Sequence, residues 1–274
     1  MRRYFVAVIV FALCTAPLRA ELKVTSRMVA RQVANAPAGN DMVAATVGPM
    51  LTQMYGGTEG VEMTLTLHED GRMRTDYVGA FAGMPAGAVV LMRTDGTSVG
   101  FDAKAQTWWK MVDPAAGLAD MMAQLKPEVT TKRTGESAQV AGLKAERISM
   151  NLRMALPRPP GTENLPPEIL AMIPSELKME GDMWVAPVHA KYMKSMLKAL
   201  SQGPMAGMGL EKMMGDVQGL TVRQVMRLSI LAGYELETLV SKVVEEDVPD
   251  SVFDLPTAYK EIPMPTGSGK LPAV

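Results

Sequence analysis

The sequence predicts an α+β protein built on one antiparallel sheet, and three observations predict it. Runs of alternating apolar and polar residues recur from about residue 61 to 151 and again from 219, which is the period of strands with two unlike faces. Asp-Gly and Ala-Gly corners separate these runs, and such tight connections make successive strands pair with one another. One stretch, 188–200, spaces its apolar residues for a helix instead.

Taken in order, the chain opens on "MRRYFVAVIVFALCTAPLRA": Arg2 and Arg3, an apolar run from Tyr4 to Leu13, the helix-breaking Pro17 and the small Ala20. This is the layout of a cleaved secretory signal over 1–20, with a mature chain starting near Glu21 in the periplasm or outside the cell. The run is shorter than the roughly 20 residues a membrane span needs, and no later stretch approaches that length, so no transmembrane segment is expected in the mature chain. Leu13 stands where the signal of a lipidated Cys14 would need a small residue. "RRYF" fits a twin-arginine route as well as an ordinary basic start, and the two stay open. Without Cys14 the mature chain has no cysteine, which excludes disulfides, thiolate metal sites and a cysteine nucleophile. A formal net charge of -1 with scattered Lys and Arg excludes a nucleic-acid footprint.

Residues 21–60 read as a strand or helix segment of the same domain. "ANAPAGNDMVAATVGPMLTQMYGG" mixes both signals across 28–58, with a short helix near 42–54 as the best guess. Clear strands follow: "VEMTLTL" and "RMRTDYVG" around "HEDG", then "AVVLM" and "SVGFD" around Asp95-Gly96, the strongest hairpin signal in the chain. In "KAQTWWKMV", Trp108 and Trp109 must face opposite sides of the sheet, one into the core and the other outward or onto a covering element. "PAAGLADMMAQL" suits a short helix, and "TGESAQVAG" and "LKAERISMNL" form a hairpin about Ala141-Gly142. The proline-rich "ALPRPPGTENLPPEI" suits a loop. "GDMWVAP" is a strand bearing Trp184. "VHAKYMKSMLKALSQ" places Val188, Tyr192, Met193, Met196, Leu197 and Leu200 on one helical face and Lys191, Lys194 and Lys198 on the other, a pattern that suits a solvated basic face better than a membrane-binding one. "LTVRQVMRLSI" and "YELETLVSKVVEE", joined at Ala232-Gly233, make a late long hairpin, and 263–274 reads as a disordered tail.

Little of this pattern carries chemistry. "GTSVG" matches a serine-hydrolase motif, but Ser98 lies at a hairpin rather than at the strand-to-helix turn a nucleophile elbow needs. His68 flanks a turn and His189 opens a helix; neither has a ligand-spaced partner, and both read as surface residues. No acid/base pair, metal site or cofactor motif can be nominated, so the chain reads as no enzyme and needs no cofactor. The departure from ordinary composition is methionine, 25 residues against five phenylalanines. Met205, Met208, Met213 and Met214 crowd into "GPMAGMGLEKMMGD". Methionine can be core filler, a soft ligand for Cu(I), or a plastic apolar surface that repacks around varied partners.

The "TGE…AG" hairpin, the "MWVAP" strand, the late long hairpin and the terminal "VPDSVFDLPTAYKE" together resemble an uncharacterised family of secreted bacterial domains, itself similar in fold to periplasmic lipoprotein carriers of the LolA/LolB type. The resemblance covers roughly 60–262. It implies a strongly curved antiparallel sheet, a half-barrel, with helices covering the concave side and a helical insertion near 188–215. In that frame Asp250 and Ser251 cap a helical turn, Phe253 and Leu255 fold under the open end of the sheet, and Tyr259 lies along the rim. The expected role is a non-catalytic envelope protein that binds a lipid, another hydrophobic ligand or a lipoprotein in an apolar cavity lined by Trp108, Trp109, Trp184, Met205, Met208, Met213 and Met214. A structural or protein-interaction module with an envelope protein as partner is the alternative, and methionine-based Cu(I) binding the third.

Overall fold

The computed structural model describes residues 19–33, 41–111, 128–156, 176–202, 217–228 and 233–265. The signal-like segment before Arg19, the helix expected over 114–125, most of the proline-rich loop and the methionine cluster at 205–214 lie outside the described residues.

In chain order the elements are β1 (Arg19–Gln32), α1 (Asp41–Met54), β2 (Val61–Leu67), β3 (Met73–Tyr77), β4 (Ala88–Met92), β5 (Ser98–Asp102) and β6 (Thr107–Lys110), then β7 (Glu128–Val140), β8 (Leu143–Ala155) and β9 (Glu176–Ala186). They continue with α2 (Ala190–Gln202), β10 (Leu220–Leu228), β11 (Tyr234–Val248), a 3-10 turn (Asp250–Phe253) and β12 (Lys260–Glu261). The described strands form one open, curved sheet of twelve in the order β12-β6-β5-β4-β3-β2-β1-β11-β10-β9-β8-β7. Two meanders thus flank β1, which pairs with β2 on one side and β11 on the other. The ambiguous stretch 28–58 resolves into the end of β1 and into α1.

Local chemistry explains the corners. At Asp95-Gly96 the Asp95 carboxylate accepts the Thr97 amide at 2.9 Å while Gly96 takes φ 80°. At the β7–β8 turn Ala141 (φ 49°) and Gly142 (φ 77°) are both left-handed, as a two-residue hairpin matching strand twist requires. Register breaks at Thr25/Ser26, Thr221/Arg223 and Arg133/Ser137 add local twist and bend the long strands.

Alternation sorts the side chains into two faces. Leu22, Val24 and Ala30 share one side of β1. Tyr192 and Met193 of α2 pack with Leu22 and Val24, and Leu51 of α1 packs with Ala30, so both helices lie over this helix side of the sheet. The spacing-based face of α2 holds: Tyr192 and Met193 are buried while Lys194 and Lys198 stay exposed. The Tyr192 hydroxyl donates to the Ala20 carbonyl at 2.7 Å, fastening α2 to the start of β1. In the chain that keeps Ala20, Tyr192→Phe leaves the ring and removes that bond, and is expected to cost about 1 kcal/mol in urea unfolding. An unchanged midpoint would mean the hydroxyl adds nothing.

The chain beyond β11 forms a strap on the opposite side. Leu255 and Tyr259 pack with Val89, Leu91, Val99, Phe101 and Trp108. β12 then pairs with β6, and Ile262 and Met264 reach Trp109 on the helix side, so the strap wraps around the sheet edge. Two expectations change here. The β12–β6 pair is parallel, not antiparallel, because the strap crosses the sheet before it joins the edge. The 3-10 turn has no side-chain cap and Pro249 stands at its N-cap; the Asp250 carboxylate instead accepts from the Arg72 guanidinium at 2.9 Å, a charge-assisted bond stronger than a cap.

Candidate functional site

Directly paired residues share a side of a sheet, and tracing the pairs across β8, β9 and β10 assembles a methionine-bearing strip. Ile148 pairs with Met183, Met150 with Gly181, Leu152 with Met179 and Met154 with Leu177; Gly181 in turn pairs with Met226. Met226 pairs with Leu236, and Leu236 with Ala30, so the strip lies on the same side as the two helices. Met150, Met154 and Met183 are buried. Among the described residues, the apolar side chains that cluster with these three belong to the strands β7–β10, apart from Val217. The reverse face of the same strands is polar: Arg147, Ser149, Asn151 and Arg153 of β8 stand beside Trp184, Asp182, Glu180 and Lys178 of β9. An open depression of about 440 Å³ there is lined by groups such as Lys132, Ser149, Glu180 and Arg227. The sheet half is therefore amphipathic, with soft, unbranched side chains on one face and charge on the other.

Of the seven residues expected to line a cavity, the four methionines at 205, 208, 213 and 214 fall outside the described residues. The described chain on either side of them is anchored on the helix side: α2 by Tyr192 and Met193, and Val217 within the strip. The tryptophans share no cluster. Trp109 is fully buried beneath α1-proximal loop residues such as Phe81 and Met84, and Trp108, on the other face, is half-buried under Leu255 and Tyr259. Their opposite orientation is the one alternation requires. Trp184 faces away from neighbouring Met183, between the guanidinium groups of Arg147 (5.7 Å) and Arg223 (4.6 Å).

His68 departs from its sequence reading as a surface residue. It is buried, and so is Glu21, because the β1–β2 register that pairs Leu22 with Leu67 sets Glu21 next to His68. His68 Nε2 lies 3.3 Å from Glu21 Oε1 and 3.5 Å from Asp250 Oδ1, and its Nδ1 lies 2.8 Å from Asp70 Oδ1. Burial pushes the Glu21 carboxyl up to about 7, with Arg72 partly offsetting the shift and Asp250 and Asp70 adding to it. Asp70 is held below the ordinary carboxylate range: the amide and guanidinium of Arg72 outweigh its partial desolvation. His189, by contrast, is partly exposed and meets Glu245 at 3.1 Å. No sequence signal marks the Glu21–His68 contact, since only strand register creates it. Among the described residues no group of three or more His, Cys, Asp or Glu side chains is arranged to hold a metal ion.

The chain is similar to solved LolA-superfamily structures. One is a LolA superfamily protein from Nitrosomonas europaea, at 8% identity and a TM-score of 0.32, with 87% of this chain and 91% of that one covered. Another is described as an outer membrane lipoprotein-sorting protein domain from Vibrio parahaemolyticus, at 7% identity and a TM-score of 0.34, covering 85% and 89%. No family model and no curated protein matches the chain. No helix among the described residues is long and apolar enough to cross a membrane.

Proposed function

We propose that the protein is a non-catalytic binding module of the cell envelope that takes a hydrophobic ligand or a lipidated partner against the helix side of β8–β10. The methionine strip carries this reading. Met150, Met154, Met179, Met183 and Met226 put flexible, polarizable side chains on one sheet face, and such surfaces re-form around chains of varied shape. The segment bearing Met205, Met208, Met213 and Met214 joins two anchors on that same face and would supply the cover. The amino-terminal segment, with its basic start and short apolar run, supports export to the envelope. Protein incubated with membrane lipid extract and repurified is expected to retain lipid by mass spectrometry. A variant with Met205, Met208, Met213 and Met214 all changed to Ser should retain at least severalfold less while keeping its circular dichroism. A wild-type protein that stays empty would end the carrier reading.

One observation favours the alternative of a protein-interaction module. β7 forms the outer edge of the sheet and is exposed along most of its length, leaving backbone donors and acceptors for an added strand. Its charges, Glu128, Lys132, Arg133 and Glu136, discourage self-pairing, so a partner would need complementary charge. Pull-down from an envelope extract separates the two: a partner lost when a proline replaces Thr131 would favour the edge.

A further inference from the structure

The carboxyl-terminal strap meets the sheet at a buried acid. Glu21 on β1, His68, Glu69 and Asp70 in the β2–β3 turn, Arg72 at the turn's end and Arg74 on β3 converge where the strap lays down Asp250 and Phe253. Phe253 is buried edge-on against the His68 ring at 5.5 Å, with the Arg72 guanidinium 5.1 Å from its centre. Arg72 also bonds Asp250 and Asp70, and Arg74 donates to the Val252 carbonyl at 3.0 Å. The turn is pinned from the other side by α2: a side chain at Gly71 would meet the Ser195 carbonyl at 2.9 Å, and Lys191 pairs with Glu69. Across from Glu21 on β11 stands Glu246, held by Lys23 at 3.1 Å. Within this crowd, Glu21 Oε2 is buried and has no hydrogen-bond partner among the described residues.

We propose that Glu21 and His68 form a proton-controlled latch that holds the strap's Asp250–Phe253 turn against the sheet while Glu21 is neutral and loosens it when Glu21 ionises. A neutral acid tolerates an unpartnered buried oxygen far better than a carboxylate does. Once Glu21 ionises, three carboxylates, Glu21, Asp70 and Asp250, compete for Arg72 and His68. Asp250 is the one able to leave, since its side chain is 75% exposed and sits on the strap rather than on a strand. Its departure draws Phe253 off the His68 ring and uncovers the apolar patch of Val89, Leu91, Val99, Phe101 and Trp108 that Leu255 and Tyr259 now cover.

The sign follows from the direction of the Glu21 shift. Because its folded value is raised above the ordinary one, the stabilisation it contributes is full below about 4.5 and is lost as pH rises through about 7. The latch is therefore closed in acid and loosened in mild alkali.

The test, on the full chain so that no cleavage-made amino group lies at Glu21, is hydrogen exchange of residues 250–262 at pH 6 and pH 8, expressed as protection relative to the free peptide so that intrinsic pH effects cancel. Wild type is expected to lose roughly tenfold protection at pH 8. Glu21→Gln, which imitates the neutral acid, should stay protected at both values. Asp250→Asn leaves β1 untouched and should show a much smaller response than wild type, so it serves if Glu21→Gln fails to fold. Equal protection of wild type at the two pH values, or an undiminished pH response in either variant, would overturn the latch.

Discussion

Trp109→Ala is expected to lower stability by about 3–5 kcal/mol in urea unfolding, the range for emptying a buried aromatic site. The indole is fully buried and joins β6, the β3–β4 loop through Phe81 and Met84, and the strap's end through Ile262 and Met264. It lies flat on Gly100 of β5, where a Cβ would come within 2.3 Å of Nε1. Gly100→Ala should therefore also destabilise, by about 2–3 kcal/mol, because the ring has no free space to retreat into. The double variant should recover part of the Gly100→Ala penalty, since the methyl then enters a vacated site; strictly additive losses would mean the two residues do not share that space. The indole N–H is buried without an acceptor among the described residues, so Trp109→Phe should cost much less than the alanine change, about 1–2 kcal/mol.

Gly219→Ala should be comparably damaging, at about 3 kcal/mol or more, and for a backbone reason. Gly219 takes φ +137°, outside the range of ordinary side chains, and its Cβ would stand 2.1 Å from the Ala186 carbonyl oxygen. Ala186 cannot move aside because it pairs with Leu220 at the head of β10. The same glycine sits between Val217, in the methionine strip, and the strand that carries Met226. Gly57→Ala makes the control: φ is +73° there but none of the described residues lies within 4 Å, so only conformational strain of about 1 kcal/mol is expected. If both variants unfold at the same denaturant concentration, the Ala186 contact is not what holds Gly219.

Features written in neighbouring residues were legible in the sequence. Asp95-Gly96 and Ala141-Gly142 carry their turn geometry in their own backbone preferences, and the opposed directions of Trp108 and Trp109 follow from alternation alone. Features made by register were not. β1 alternates Leu22, Val24, Ser26, Met28 and Ala30 plainly enough, but nothing in "ELKVTSRMVARQ" says that its partner is the last long strand. The same applies to the methionines of β8 and β9, which become one face only when Leu152 is set beside Met179. The cluster at 205–214 is conspicuous in the sequence only because its spacing is local. Glu21 and His68 meet by the same route, and an isolated histidine beside a turn gives no hint of a carboxylate brought in from another strand. β12 is two residues long and has no periodicity to read.

The placement of β1 also sets an order of assembly. Each meander can zip up from neighbouring hairpins as it is synthesised, but the seam between them, β1 against β11, waits until almost the whole chain is present. Until then the first half of the sheet carries a long bare margin, the kind of edge that recruits stray strands. Closing that seam brings together segments of the greatest sequence separation, so it is the step expected to limit the folding rate and the one at which a holdase would do most good.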